Sequence, residues 1–311
     1  MIAPASVHHA DWSVDPAKRW IASAEREGPG YRVRSVERVA DDPLRAGPAG
    51  HELLGVDFPI GLPLAYAAAV GIDRFGDALA SLGDALLPQF FEVAGSAAEI
   101  SLGRPFYPAR PGPAGTVRRR HLADGLGIGF SDLLRRCERP FAGRPAAAAL
   151  FWLVGSQQVG RAAIHGWRTV LQPARRARRD VALWPFDGDL GDLIARHELT
   201  VAEAYPAESA RQFGFGRAGW SKRRQADRRR VGLALIEWAR RHDVAFDDGV
   251  LRRVLDGFGP AAGGEDAFDA TVGLFGLLRV AAGVQREFPP TALGGDVGSV
   301  EGWILGQDAS A

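Results

Sequence analysis

Apolar and polar side chains alternate along the first forty residues, the two-residue period of strands buried on one face. Residues 10–14 form a short candidate strand, Asp15-Pro16 is a turn signal, and residues 19–25 (RWIASAE) read as the returning strand of a hairpin. Residues 31–39 (YRVRSVERV) alternate cleanly, so the chain is predicted to open with three antiparallel strands. Residues 53–58 (LLGVDF) break that rhythm with a continuous apolar run, the form of a central strand covered on both faces. It stops at Pro59-Ile60-Gly61-Leu62-Pro63, which cannot continue a ladder.

Beyond this point the pattern predicts an inserted region over residues 64–145, largely helix and loop. Residues 73–87 have helical periodicity, and residues 105–113 carry four prolines and are expected to be loop. Residues 146–154 and 181–186 are apolar strand or core candidates, and residues 199–205 (LTVAEAY) predict a strand ending at Pro206. Helices are predicted over residues 219–242, 246–258 and 266–282, and the apolar tail around Trp303 is expected to pack. No repeat is visible, and the 311 residues are read as one enlarged domain.

Composition narrows the class. Apolar residues make up 46% and charged residues 24%, which fits a folded globular chain. A single cysteine, Cys137, excludes an internal disulfide and a cysteine-based zinc site. The N-terminus has no basic start followed by an apolar stretch, and the longest apolar run falls far short of the ~20 residues of a membrane span. A cytoplasmic protein without a membrane partner is expected. No P-loop, dinucleotide fingerprint or HExxH motif is present. His8-His9 is an unpromising metal pair, because strand neighbours point to opposite faces.

Four aspartates and one glutamate stand where carboxylates are costly. Asp269 interrupts an apolar helical run (AFDATVGLF), where a buried ion costs several kcal/mol unless paired or bound to metal. Asp266 lies one turn earlier on the same face, which continues through Gly273 and Gly276, two glycines that suggest close packing against a sheet. Asp57 ends the apolar strand, Asp11 sits in the first strand beside Trp12, and Glu203 lies on the strand before Tyr205-Pro206. Taken singly, Asp57 also suits a turn, Asp11 and Glu203 a solvent-facing strand, and Asp266 a helix first turn.

Together these stretches carry a resemblance. Asp11-Trp12-Ser13 with its hairpin, Gly55-Val56-Asp57-Phe58-Pro59-Ile60-Gly61-Leu62-Pro63, Glu203-Ala204-Tyr205-Pro206-Ala207, Asp266-Ala267-Phe268-Asp269-Ala270 and Glu301-Gly302-Trp303-Ile304 resemble, in that order, a domain-of-unknown-function family of predicted nucleases in the RNase H-like superfamily. The DxxDA spacing is similar to that of RuvC-type Holliday-junction resolvases. The resemblance implies an α/β fold: an RNase H-like mixed sheet, three antiparallel strands and then parallel ones, flanked by helices. It implies that Asp11, Asp57, Asp266 and Asp269 converge to hold two Mg²⁺ or Mn²⁺ ions, with Asp11 bridging and Glu203 ligating or orienting. Hard oxygen ligands suit those ions, and a pair of them can drive phosphodiester hydrolysis. The helix usual between the third and fourth strands looks lost or reduced to a turn, since residues 40–51 hold two prolines.

Charge bears on the partner. The net charge is only +1, from 38 basic and 37 acidic side chains, but the basic residues cluster. Residues 161–179 hold six arginines and no acid, residues 217–241 nine basic residues against two acids, and residues 104–120 five arginines and no acid. Arg175, Arg176, Arg178 and Arg179, expected in a loop, and Lys222, Arg223 and Arg224 are candidate nucleic-acid contacts, with Trp167 and Trp220 as stacking candidates. A solvated arginine-rich surface is the plain alternative. Only Lys18 and Lys222 are lysines, a bias read as the signature of a GC-rich genome. The function expected is a metal-dependent nuclease. The alternatives are a non-catalytic scaffold, with its acids paired to arginine, and a hydrolase of nucleotides or small phosphoesters.

Overall fold

The structure is a computed structural model and describes residues 3–39, 43–44, 50–110, 112, 116–141, 144–155, 158–216, 219–261, 263–288 and 295–308. Most of the 40–51 connection therefore lies outside the described residues. Seven strands form one mixed sheet: β1 (Ser6–Asp11), β2 (Trp20–Glu27), β3 (Gly30–Arg38), β4 (Glu52–Val56), β5 (Val181–Leu183), β6 (Leu199–Glu203) and β7 (Val244–Phe246). Their order is β5-β6-β4-β1-β2-β3-β7. β1, β2 and β3 are antiparallel neighbours, whereas β4, β6 and β5 run parallel to β1. β4 and β6 are buried along their whole lengths.

The helices are α1 (Leu64–Ala69), α2 (Phe75–Ala78), α3 (Arg119–Leu126), α4 (Val159–Gly166), α5 (Gln172–Arg176), α6 (Leu190–Arg196), α7 (Pro206–Gln212), α8 (Gln225–Arg241), α9 (Asp248–Asp256) and α10 (Gly263–Ala281). α10 lies across β1 and β2, with α7 beside it. Val7, Ala22, Ala24 and Val33 face this layer, while Ala10, Leu54 and Val56 face a second core built from the β4–β5 connection. No helix among the described residues is long and apolar enough to cross a membrane.

Several expectations are corrected. The first strand ends at Asp11 rather than running over 10–14. Its centre is His8-His9: His8 bonds Ser23 and Ser6 on one face, and His9 is fully buried on the other. The 73–87 segment is helical only at α2, because Gly83 turns at φ +76° and the chain continues in turns. Residues 146–154 form no strand. Phe151 and Leu153 instead exchange backbone hydrogen bonds with Tyr107. Residues 159–176 are helical throughout, through a π turn (Trp167–Leu171) joining α4 to α5, so Arg175 and Arg176 are not in a loop. The predicted 219–242 helix starts at Gln225, and the start of the predicted 246–258 helix is β7. The tail packs as expected, with Ile304 bridged to Glu203.

Candidate active site

Parallel strands deliver their C-terminal ends to one edge of the sheet. Ala10 is level with Val56, and Val56 with Glu203, so Asp11, Asp57 and Glu203 emerge from three adjacent strands. Asp57 donates its N–H to Ala10 O (3.3 Å) and its Oδ1 accepts the Trp12 N–H (2.8 Å), which locks β4 to β1 at this point. Asp11 and Asp57 stand side by side at the ends of paired strands, close enough for each carboxylate to act on the other.

α10 brings the acids of its first turns over the same end. Its close approach rests on its glycines: a Cβ at Gly273 would stand 2.2 Å from Cε1 of His9 in β1. The other glycine serves a different neighbour. A Cβ at Gly276 would meet Ser209 of α7, so only Gly273 packs on the sheet as expected. Asp269 is held by the ammonium of Lys222, which stands just before α8.

The electrostatics show a shortage of cations. Burial, then the charges of Asp57 and Asp269, push Asp11 well above the usual carboxylate range. Burial pushes Asp57 up to about 7, against the pull of the Trp12 N–H. Burial raises Asp269 as well, opposed by Lys222, and Asp266 is raised by burial and by Asp269. Burial works against the Lys222 ammonium, yet Asp269, Asp11 and Glu265 outweigh it and hold Lys222 charged. Two carboxylates left close together share a proton for this reason.

Glu203 is not part of this cluster. Arg135, fully buried, binds its two oxygens at 2.7 and 2.8 Å, and Ile60 N–H adds 2.8 Å. The same guanidinium reaches Glu138 (2.8 Å) and the carbonyls of Ile60 and Glu301. Cys137, next to this hub, is buried, and burial pushes its thiol up, which removes it as a nucleophile.

The arginine run also falls elsewhere. Arg178 and Arg179 precede Val181, which is level with Leu199 and so, across the sheet, with Ser6. They lie at the end of the parallel strands opposite the carboxylates. Arg175 pairs with Asp187, Arg176 with Asp84, and Arg179 with the Leu44 carbonyl. Arg224 is paired with Asp227, and Arg223 is exposed beside Lys222. Trp167 is fully buried with its indole on Pro59 O (2.7 Å), and Trp220 packs on Phe215 and Phe268, so neither is a free stacking platform.

Three more basic residues stand at the site: Arg161 and Arg228, which the sequence shows only as members of arginine-rich windows, and Lys18, to which it gives no role. A cleft of about 630 Å³ opens beside Asp57 and is lined by Trp12, Ser13, Lys18, Gln158 and Arg161. Lys18 is also close enough to act on Asp266. Arg228, buried on α8, donates to the carbonyls of Lys222 (2.5 Å), Gly257 (2.8 Å) and Gly259 (2.5 Å), tying the Lys222 segment to the one that leads into α10. The missed signal was lysine itself, since both lysines of the chain stand at this site.

The chain matches no protein-family model, no curated protein and no solved structure. Among the described residues no group of three His, Cys, Asp or Glu side chains is arranged to hold a metal ion. The donors at this edge are carboxylate oxygens, half-buried and short of positive charge, which is the chemistry that suits Mg²⁺ or Mn²⁺.

Proposed function

We propose that the protein is a divalent-metal-dependent phosphodiesterase, a nuclease in the broad sense, on an RNase H-like core. One observation carries the reading: the strand register sets Asp11 beside Asp57 at one sheet edge, within reach of the charges of Asp266 and Asp269 on α10, and Lys222 bonds Asp269. The neighbouring placement of β1 and β4 in the sheet, with a late helix across β1, supports the fold reading.

Asp11, Asp57 and Asp266 are the residues that would hold Mg²⁺ or Mn²⁺. Such an ion, when bound, supplies Lewis acidity toward a phosphoryl oxygen and lowers the pKa of water. The chain's own groups do the rest. The Trp12 N–H fixes the Asp57 carboxylate, and Asp11 and Asp57, both raised by burial, would supply ligand oxygens to the cation. Lys18 and Arg161 make the adjacent cleft receptive to a phosphate. The position of that cleft, and of Arg178 and Arg179 at the far end of the sheet, favours a second reading: an unpaired strand end or small phosphoester as substrate, rather than a long duplex.

The test is hydrolysis, in Mn²⁺, of single-stranded, duplex, hybrid and branched substrates and of a small phosphodiester. Asp11→Asn and Asp269→Asn are each expected to lose about 10²-fold or more. Equal activity in variant and wild type removes the assignment.

A further inference from the structure

Lysine is the rarest basic residue in the chain: arginine occupies every basic position but two among the 38, and those two flank the carboxylates. The coincidence is best examined at Lys222. An ammonium is a compact point charge on a flexible stem, whereas a guanidinium is a broad planar fork. Where the charge must sit inside a cluster of carboxylates, compactness is the property that matters.

The position of Lys222 is built rather than incidental. Arg228 grips its carbonyl, Asp227 accepts the next N–H, that of Ser221, at 2.9 Å, and Arg224 closes on Asp227. The outcome is that Nζ bonds Asp269 Oδ2 while exerting its charge on Asp11, Asp57 and Asp266 as well. A divalent ion drawn to Asp269 would meet this ammonium at contact range. The repulsion there is twice that between two unit charges at the same distance.

We infer that Lys222 takes the place of one of the two cations that a carboxylate site of this kind would otherwise hold, leaving a single divalent ion for the Asp11–Asp57–Asp266 side. The inference rests on the metal-dependent reading above and narrows it from two ions to one. Lys222 thereby acts as a positioning residue: it neutralises Asp269 and orients it.

The experiment is Mn²⁺ titration of the full chain at pH 8, followed by calorimetry and by the electron spin resonance of free Mn²⁺. The wild type, Lys222→Arg and Lys222→Met are compared, with thermal melts confirming that each is folded. One ion is expected in the wild type, and one in Lys222→Arg, held at least tenfold more weakly there because the broad guanidinium crowds the carboxylates. Two are expected in Lys222→Met, the second binding at least tenfold tighter than any second ion in the wild type. Two ions in the wild type, or a single ion in folded Lys222→Met, overturn the substitution of cation by lysine while leaving the metal-dependent reading in place. Absence of uptake in all three overturns both.

Discussion

Glu203 and the Asp11–Asp57 pair end neighbouring parallel strands, Glu203 one residue earlier and hence toward the other face, and their surroundings are opposite. Glu203 is buried and fully answered: two charged hydrogen bonds from Arg135 and one N–H from Ile60. Asp11 and Asp57 are half-buried and, among the described residues, have no arginine on them, only the Trp12 N–H on Asp57, so burial lifts them instead. A protein can satisfy a buried carboxylate with arginine when it has one to spare, and this chain has 36 besides its two lysines. That it does so at β6 and not at β1 and β4 separates a structural acid from acids kept available. The hub joins the β4–β5 connection, the loop after β4 and the C-terminal tail to the sheet, while the aspartates leave room for a ligand.

The comparison breaks most sharply at Arg135. Arg135→Met leaves Glu203 and Glu138 buried without their partner, and removing one member of such a pair costs about 3–5 kcal/mol. A denaturant melt is expected to show that loss, and a loss under 1 kcal/mol would mean the hub is not the clamp described. The carboxylates at the other site should respond in the reverse sense. Asp57→Asn removes a group raised from 3.8 to about 7, and so should stabilise the metal-free protein at pH 8 by up to about 4 kcal/mol, each pKa unit being worth about 1.4 kcal/mol. The same variant should lose hydrolysis. A destabilised Asp57→Asn would show that the pair is structural after all.

How much of this was legible follows from what each signal depends on. β4 was readable because a doubly buried strand is apolar along its run, and β6 because Pro206 ends it, and the positions of Asp57 and Glu203 follow from them. β1 was misplaced because its centre is His8-His9, and the burial of His9 depends on Gly273 some 260 residues away. β7, three residues long, carries too little periodicity to be seen, whereas β5, equally short, lies in the apolar run 181–186 that marks a strand or core segment. Asp269 was found because a carboxylate in an apolar helix demands a partner, but the partner itself, Lys222, was counted among nucleic-acid contacts. Glu203 was grouped with the aspartates because sequence shows which acids end strands, not which of them an arginine from another segment reaches. Arg135 stands in a stretch with four charged residues, 135–139, where nothing distinguishes a buried clamp from a solvated face.

The smallest expected effect, and the one most specific to the site, is the pH dependence of cation binding. Asp57 is raised in the folded protein, so its contribution to stability is complete below pH 3.8 and is lost as pH rises through about 7. His9 runs the other way: burial lowers it from 6.5 to about 4, so its contribution is present above 6.5 and is lost as pH falls toward 4. The two slopes oppose each other between pH 4 and 6.5, and the metal-free melting temperature should change little there. Above 6.5 only the carboxylate slope remains, and stability should fall. A divalent cation reverses that fall because it takes the place of the proton, so its affinity should weaken by up to tenfold for each unit below pH 7. Melts with and without Mn²⁺ should therefore separate at pH 8 and converge by pH 5.5 in the wild type. In Asp57→Asn the two curves should coincide at both pH values, and a Mn²⁺ shift that survives that substitution would place the cation somewhere other than between β1 and β4.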